Sequence, residues 1–439
     1  MNELDPSGTK RARTLVWIVS LAAVGLMFDG YDLVVYGTVV STFLRDPSQI
    51  GPVDPALAGA LGSYALVGVL VGALIAGSIG DLVGRRKMML GAYGWFSLGM
   101  AATAHTHSAL AFGLFRFVTG LGVGVLLATT AALVSEFAPK GKKNLCNAIT
   151  YSGVPLGSLA AAALAIVLLE QIGWRGMFLI GALPFITLLP LAFWKMPESV
   201  AWLASRGRIE EARKVAAKTG VEVPATAGVG LIEERGAAGY RGLFGDFLIP
   251  AVLIGLMSAM GLLLVYSLNT WLPELMLRAG FNAKGSLTFL DVLNGAAALG
   301  PVIVARFADR FGPKPVVAAS FLLGALSIVA LTLKLPLAAL LAIVALVGIG
   351  TSGTQTLIYG FVANYFPTRV RGAGVAWCAG FGRLGGVGGP VIGGLLIAAG
   401  LSIDTIFFVL AGLAFVGVLL TLIVPSGRTA VARVPAEAH

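Results

Sequence analysis

One pattern recurs from Leu15 to Val424: apolar runs of about twenty residues, separated by short polar breaks. At 1.5 Å per helical residue such a run matches the roughly 30 Å hydrocarbon core of a bilayer. Lipid offers no partner for backbone N–H and C=O groups, so continuous apolar runs predict helices that satisfy these groups internally. The runs fall at 15–43, 57–82, 88–105, 109–134, 145–169 and 176–195, then at 247–273, 287–307, 315–333, 337–364, 371–398 and 402–424. The chain is 57% hydrophobic and only 12% charged, about half the charge of a soluble domain. The expected fold class is an all-α membrane protein of twelve transmembrane helices.

A formal net charge of +10 is compatible with a nucleic-acid partner, but its distribution argues against one. Twenty-four of the 31 Lys and Arg fall in breaks on one side, among them Lys10, Arg13, Arg85, Arg86, Lys87, Lys195 and Arg371. Five fall on the other side, and Arg116 and Arg383 lie within spans. This asymmetry is the positive-inside rule, which puts both termini and the long central loop in the cytoplasm and the protein in the cytoplasmic (inner) membrane. The hydrophobic start is too long for a signal peptide and contains two acids. The two cysteines and three histidines form no metal-ligand spacing, and no phosphate loop is present, so no metal, no cofactor and no direct ATP drive are expected.

Residues 196–245 are the only long polar stretch. They are helical in character around Glu210, Glu211, Arg213 and Lys214, and rich in Gly, Ala and Pro near Pro224. They link an N-terminal half, 1–195, to a C-terminal half, 246–439. An ungapped offset of 228 maps Asp81 to Asp309, Gly84 to Gly312, Gly120 to Gly348, Gly122 to Gly350, Pro139 to Pro367 and Gly157 to Gly385. Glycines match easily in a chain with 59 of them, but the Asp and Pro matches are harder to obtain by chance. A parallel repeat of two six-helix bundles resembles the major facilitator layout, whose substrate site lies near the midplane between the halves.

Asp29 and Asp32 break this symmetry, because they map to Met257 and Met260. They share one helix face inside the first span. An ionised Asp at the centre of a spanning helix costs about 2.5–3.5 kcal/mol on insertion scales, so that face looks into protein or water. A carboxylate that gains and loses a proton inside a membrane is what proton-coupled transport requires; the plainer reading is a polar pair that only bonds neighbouring helices.

Two guanidiniums complete the intramembrane charge. Arg116 lies about seven residues into its span; it could pair with Asp29 or Asp32 or take a substrate anion. Arg383 stands where the first half has Pro155, about 18 Å beyond Arg371 along the helix. It could grip a carboxylate bidentately or bridge to Asp291. Tyr31, Tyr36 and Tyr359 are aromatic candidates near these charges, and Asn269 and Gln355 are candidate polar contacts. Aromatics at helical spacing are more often packing, and Trp271 reads as an interfacial belt residue or an outer gate.

Gly77-Ser78-Ile79-Gly80-Asp81-Leu82-Val83-Gly84-Arg85-Arg86-Lys87 joins the second and third spans. It resembles the major facilitator signature loop, although Leu82 stands where that family usually has a basic residue. Gly84 allows the tight turn, and Asp81 suits the N-terminus of a neighbouring helix. The resemblance implies that Asp81 and Arg85 join Glu136 in a charge network that latches one conformation. The second copy, with Asp309 and Gly312, has Pro313 in place of Arg85 and reads as the weaker latch. Pro197-Glu198-Ser199-Val200-Ala201-Trp202-Leu203 resembles a loop shared by sugar and organic-acid facilitators rather than multidrug exporters.

Taken with Asp29-Gly30-Tyr31-Asp32, the run Tyr365 to Gly372 and Gly382-Arg383-Leu384-Gly385, the whole chain resembles the aromatic acid:proton symporter family. That resemblance implies a monomeric, lipid-embedded importer of a benzoate- or hydroxybenzoate-type anion. Asp29, Asp32 and Glu136 would handle protons, and Arg383, with or without Arg116, would hold the carboxylate. A porter for a sugar, nicotinate or a dicarboxylate is the alternative, and a drug/proton antiporter a more distant one. A sensor would show a soluble output domain and an enzyme a catalytic cluster in the spans; neither pattern is present in the sequence.

Overall fold

The computed structural model describes residues 6–139, 142–221 and 239–425, apart from the side chains of residues 6–9, 77, 78, 80, 81, 144 and 368. The Gly/Ala/Pro-rich piece near Pro224 lies outside the described residues. Among those described, all regular structure is helical. In the first half the helices are α1 (Pro6–Arg45), α2 (Pro55–Val83), α3 (Arg85–Ala104), α4 (Ala109–Phe137), α5 (Lys143–Tyr151), α6 (Gly153–Gly181) and α7 (Leu188–Lys195). The polar stretch contributes α8 (Val200–Ser205), α9 (Ile209–Thr219) and α10 (Gly239–Asp246). Then follow α11 (Leu248–Arg278), α12 (Ala283–Phe311), α13 (Pro313–Ala330), α14 (Leu337–Gly348), α15 (Thr354–Tyr365), α16 (Thr368–Ala398) and α17 (Ile403–Ile423). A π-helical turn, Ile349–Gly353, joins α14 to α15.

Ten stretches among the described residues are helical, long and apolar enough to cross a membrane. The two other expected spans fall short for chemical reasons. α3 opens on Arg85-Arg86-Lys87, which lowers its apolar content over only 20 residues. Gly173 (φ 66°) kinks α6 in the gap between the spans expected at 145–169 and 176–195, and the latter is itself broken: the helix stops at Gly181 ahead of Pro184, and α7 resumes at Leu188. Apolar residues such as Leu74, Leu110, Leu299 and Phe408 face outward, as lipid-facing helices require.

The chain forms two compact units, one of residues 1–52 and 64–231, the other of 53–63 and 232–439. The offset of 228 carries over into their packing. Asp54 accepts a hydrogen bond from the Leu57 N–H at the start of α2, and Asn282 accepts from Gly285 at the start of α12, both at 2.7 Å. A Cβ on Gly120 would meet the Ala65 carbonyl and one on Gly348 the Leu293 carbonyl; Gly122 faces Phe96 and Gly350 faces Gly324. Each pair of contacts is related by the same offset, so these glycines mark one helix-packing scheme used twice.

The closest backbone approach in the first unit joins α1 to α6. Gly30 lies against the Val154 carbonyl and Gly157 against that of Met27. In the second unit α16 approaches α11 in the same manner, Gly385 against the Ala259 carbonyl. A methyl at Gly157 has only backbone to displace, so Gly157→Ala is expected to cost about 3 kcal/mol by overpacking. Gly380→Ala meets nothing within 4 Å and should be neutral or slightly stabilising through helix propensity. Melting of the detergent-solubilised protein separates the two, and equal melting temperatures would refute the packing argument.

Candidate functional site

In the first unit, packing of α1 on α6 holds Asp29 and Asp32 away from solvent, at 8% and 4% exposure. α4 brings Arg116 (2% exposed) into an ion pair with Asp32. The Arg116 guanidinium lies 5.7 Å from the ring centres of both Tyr36 and Phe178. Its Nε has no hydrogen-bond partner among the described residues. Asp32 is one of the two acids expected as its partner. Tyr31 is committed elsewhere: its hydroxyl donates to the Met177 carbonyl at 2.7 Å, tying α1 to α6. Chemically, this is a carboxylate held by one guanidinium in an apolar, aromatic shell. Adding a proton to Asp32 would release Arg116, and removing it would restore the pair.

In the second unit, Arg383 sits half-buried midway along α16. It forms no ion pair among the described residues, including with Asp291, whose Oδ1 is buried without a hydrogen-bond partner. Gly382 and Gly385 bring the α16 backbone against Ser258 and Ala259 of α11. Gln355 follows the π turn by two residues and donates to Ser258 Oγ at 3.0 Å. Tyr359, one helical turn further, lies within electrostatic reach of Arg383. The π turn is formed where Thr351 and Thr354 return their hydroxyls to the Val347 and Gly350 carbonyls among three glycines. Such turns commonly mark functional sites. Asn269 points its amide into a different network: its Oδ1 accepts from Asn294 Nδ2 at 2.9 Å and its Nδ2 donates to Val265 O at 2.8 Å.

Trp271 is not an interfacial belt residue. It is 1% exposed and donates from Nε1 to the Pro390 carbonyl at 2.8 Å. Trp377 likewise bonds the Ala251 carbonyl and packs on Phe381, which makes both part of the α11–α16 seam.

The turn before α3 has the geometry its sequence requires. Gly84 adopts φ 101°, and a Cβ there would press on the Glu198 carboxylate. Gly77 and Asp81 lie outside the described side chains. The carboxylate found at the start of α3 is Glu198, whose Oε1 accepts from Arg86 N at 2.9 Å and from Ser199 N at 3.0 Å. The Ser199 hydroxyl donates to Glu136 and also caps α8 by accepting from Trp202 N at 2.9 Å. Arg85 and Glu136 share the wall of a cavity of about 410 Å³ with Trp202 and Arg206. The sequence alone assigns no role to Glu198, Ser199, Ser258 or Asn294; the first two lie in the 197–203 loop, and Asn294 is visible as a polar residue inside an apolar run. In the second copy Gly312 repeats the turn at φ 86°, while Asp309 is exposed and forms no ion pair among the described residues. Glu198→Ala is expected to cost about 1–2 kcal/mol as a lost helix cap, read as faster amide exchange over residues 85–89. Unchanged exchange would remove Glu198 from that role.

A family model described as "Sugar (and other) transporter" matches residues 18–425. The chain is 34% identical over 422 residues to a gentisate transporter of Corynebacterium glutamicum, covering 95% of this chain and 88% of that protein. It is 31% identical over 422 residues to a benzoate transport protein of Acinetobacter baylyi, covering 94% and 90%. It is 32% identical over 410 residues to a gallate transporter of Pseudomonas putida, covering 92% and 90%. Among solved structures, the partially occluded, inward-open xylose transporter XylE from E. coli matches with a TM-score of 0.75 at 18% identity, covering 94% of this chain and 98% of that one.

Proposed function

The chain belongs to the sugar (and other) transporter family of the major facilitator superfamily, and on that premise we propose that it imports a small aromatic carboxylate together with protons by alternating access. What carries the reading is Arg383: a half-buried guanidinium in mid-helix with no acid of its own among the described residues, in a chain whose relatives carry gentisate, benzoate and gallate. A planar guanidinium matches a carboxylate by two parallel hydrogen bonds, and Tyr359 lies within electrostatic reach of it, one helical turn from Gln355.

Asp32 is the proton carrier in this reading. Protonated from outside, it frees Arg116; on release of the proton to the cytoplasm it pairs with Arg116 again. Asp29 supports it on the same helix face. Glu136, Arg85, Ser199 and Glu198 form the latch, with Asp81 its further expected member and the Asp309–Gly312 turn its weaker counterpart. The residue 1–195 and 246–439 halves move about the bound solute, both termini are cytoplasmic, and the membrane is the inner one.

Uptake into proteoliposomes with an acidic exterior tests the proposal. Labelled benzoate and gentisate are expected to accumulate and to leak away on adding a protonophore, whereas xylose and succinate are not taken up. Nicotinate, a heteroaromatic carboxylate, falls within the same chemistry and should compete. Accumulation of xylose without accumulation of benzoate would overturn the assignment.

A further inference from the structure

Away from Asp32 and Arg383, the first unit holds a cavity of about 560 Å³ enclosed by the starts of α1 and α3, the end of α7 and one face of α9. Among the described residues five cations line it: Lys10, Arg13, Arg86, Lys195 and Lys218. The one carboxylate among the described residues of the wall, Glu198, is already taken by the backbone N–H groups of Arg86 and Ser199. Arg86 is held in place by the Phe193 carbonyl at 2.5 Å, with its guanidinium 5.2 Å from the Phe193 ring centre. The Lys195 ammonium lies 5.3 Å from the Trp17 ring centre. Lys10, Arg13, Lys195 and Lys218 form no ion pair among the described residues. Like charges gathered round one hollow repel one another, and a bound anion would reverse that energy.

The position of the cavity decides which anion. Its walls straddle the boundary where polar sequence gives way to apolar: Arg13-Thr14 before Leu15 in α1, and Trp194-Lys195 at the end of α7. Trp194 is 78% exposed and the adjacent Phe193 57%. Exposed aromatics at the end of an apolar helix belong at the headgroup level of a membrane. Basic hollows between spanning helices at that level accept anionic headgroups. We infer that this cavity binds the phosphodiester headgroup of an anionic membrane lipid, whose acyl chains run along Phe193 and Trp194. The site is independent of the transported solute.

Native mass spectrometry of the full chain, released from detergent after titration with phosphatidylglycerol or phosphatidylcholine, tests this. Phosphatidylglycerol is expected to bind at least about tenfold more tightly. Each basic residue near an anionic lipid surface is worth about fivefold, so Lys195→Gln/Lys218→Gln should weaken phosphatidylglycerol about 25-fold. Lys195→Arg should retain it, and Lys195→Gln alone should lose about fivefold, which keeps the test decisive where the double variant misfolds. Equal retention of the two lipids, or undiminished binding by the variants, overturns the site. A parallel titration with glycerol phosphate separates a lipid from a soluble anion. Trp194→Ala is expected to weaken phosphatidylglycerol while leaving glycerol phosphate unaffected. If glycerol phosphate binds as tightly as the lipid, the lipid assignment fails.

Discussion

Asp32→Asn is expected to abolish proton-driven accumulation of substrate while leaving the chain able to exchange substrate across the membrane. The side chain keeps its shape but can no longer carry a proton, so one step of the cycle has no chemistry behind it. The same change leaves Arg116, 2% exposed, facing a neutral amide. Removing one partner of a buried ion pair typically costs about 3–5 kcal/mol, so the variant should also melt at a lower temperature. Asp32→Asn/Arg116→Gln separates the two effects: with both charges of the pair removed together, stability should largely return, and accumulation should not. Full uphill uptake by Asp32→Asn would end the assignment of Asp32 as carrier. Recovery of uptake in the double variant would show that the pair is only a structural tie between α1 and α4.

The spans were legible because lipid leaves a sequence little freedom: an apolar run of the right length has helix as its only open form. Their ends moved where local chemistry competed. The turn at Pro184 breaks the sixth expected span, and the cations at the head of α3 dilute the third. The repeat was readable in its punctuation, Asp81 with Asp309 and Gly84 with Gly312, and the contact partners of Gly120 and Gly348 give that offset a physical basis. Asp32 and Arg116 stood out because charge within an apolar run is costly, but their pairing depends on how α1 packs against α4, and no single helix encodes that. Asn269 illustrates the opposite limit. Its side chain belongs to a network with Asn294, 25 residues away on the next helix, and an isolated Asn in a span gives no direction. Glu198 was hidden for the same reason: it caps a helix 112 residues earlier in the chain. The belt alternative for Trp271 fails because, although an aromatic beside Pro273 near a helix end looks interfacial, the small residues Gly393 and Gly394 on α16 open a buried slot for its ring.

Arg383 supplies the second large expectation. Arg383→Ala should weaken benzoate binding by about 30-fold or more, the range seen when one member of a hydrogen-bonded charge pair is removed. Arg383→Lys keeps the charge but loses the planar fork, so it should recover only part of the affinity. Scintillation proximity binding to purified protein at fixed pH measures both without depending on proton coupling. Benzamide, which matches the ring but lacks the charge, provides the internal control: its weak binding should scarcely differ between the native chain and Arg383→Ala. The fold itself has little reason to collapse, because Arg383 forms no ion pair among the described residues and its removal orphans no acid. That distinguishes it from Arg116, whose loss would leave Asp32 buried alone. If Arg383→Ala binds benzoate as well as the native chain, the carboxylate is held elsewhere, and Arg116, freed when Asp32 takes a proton, becomes the group to test next.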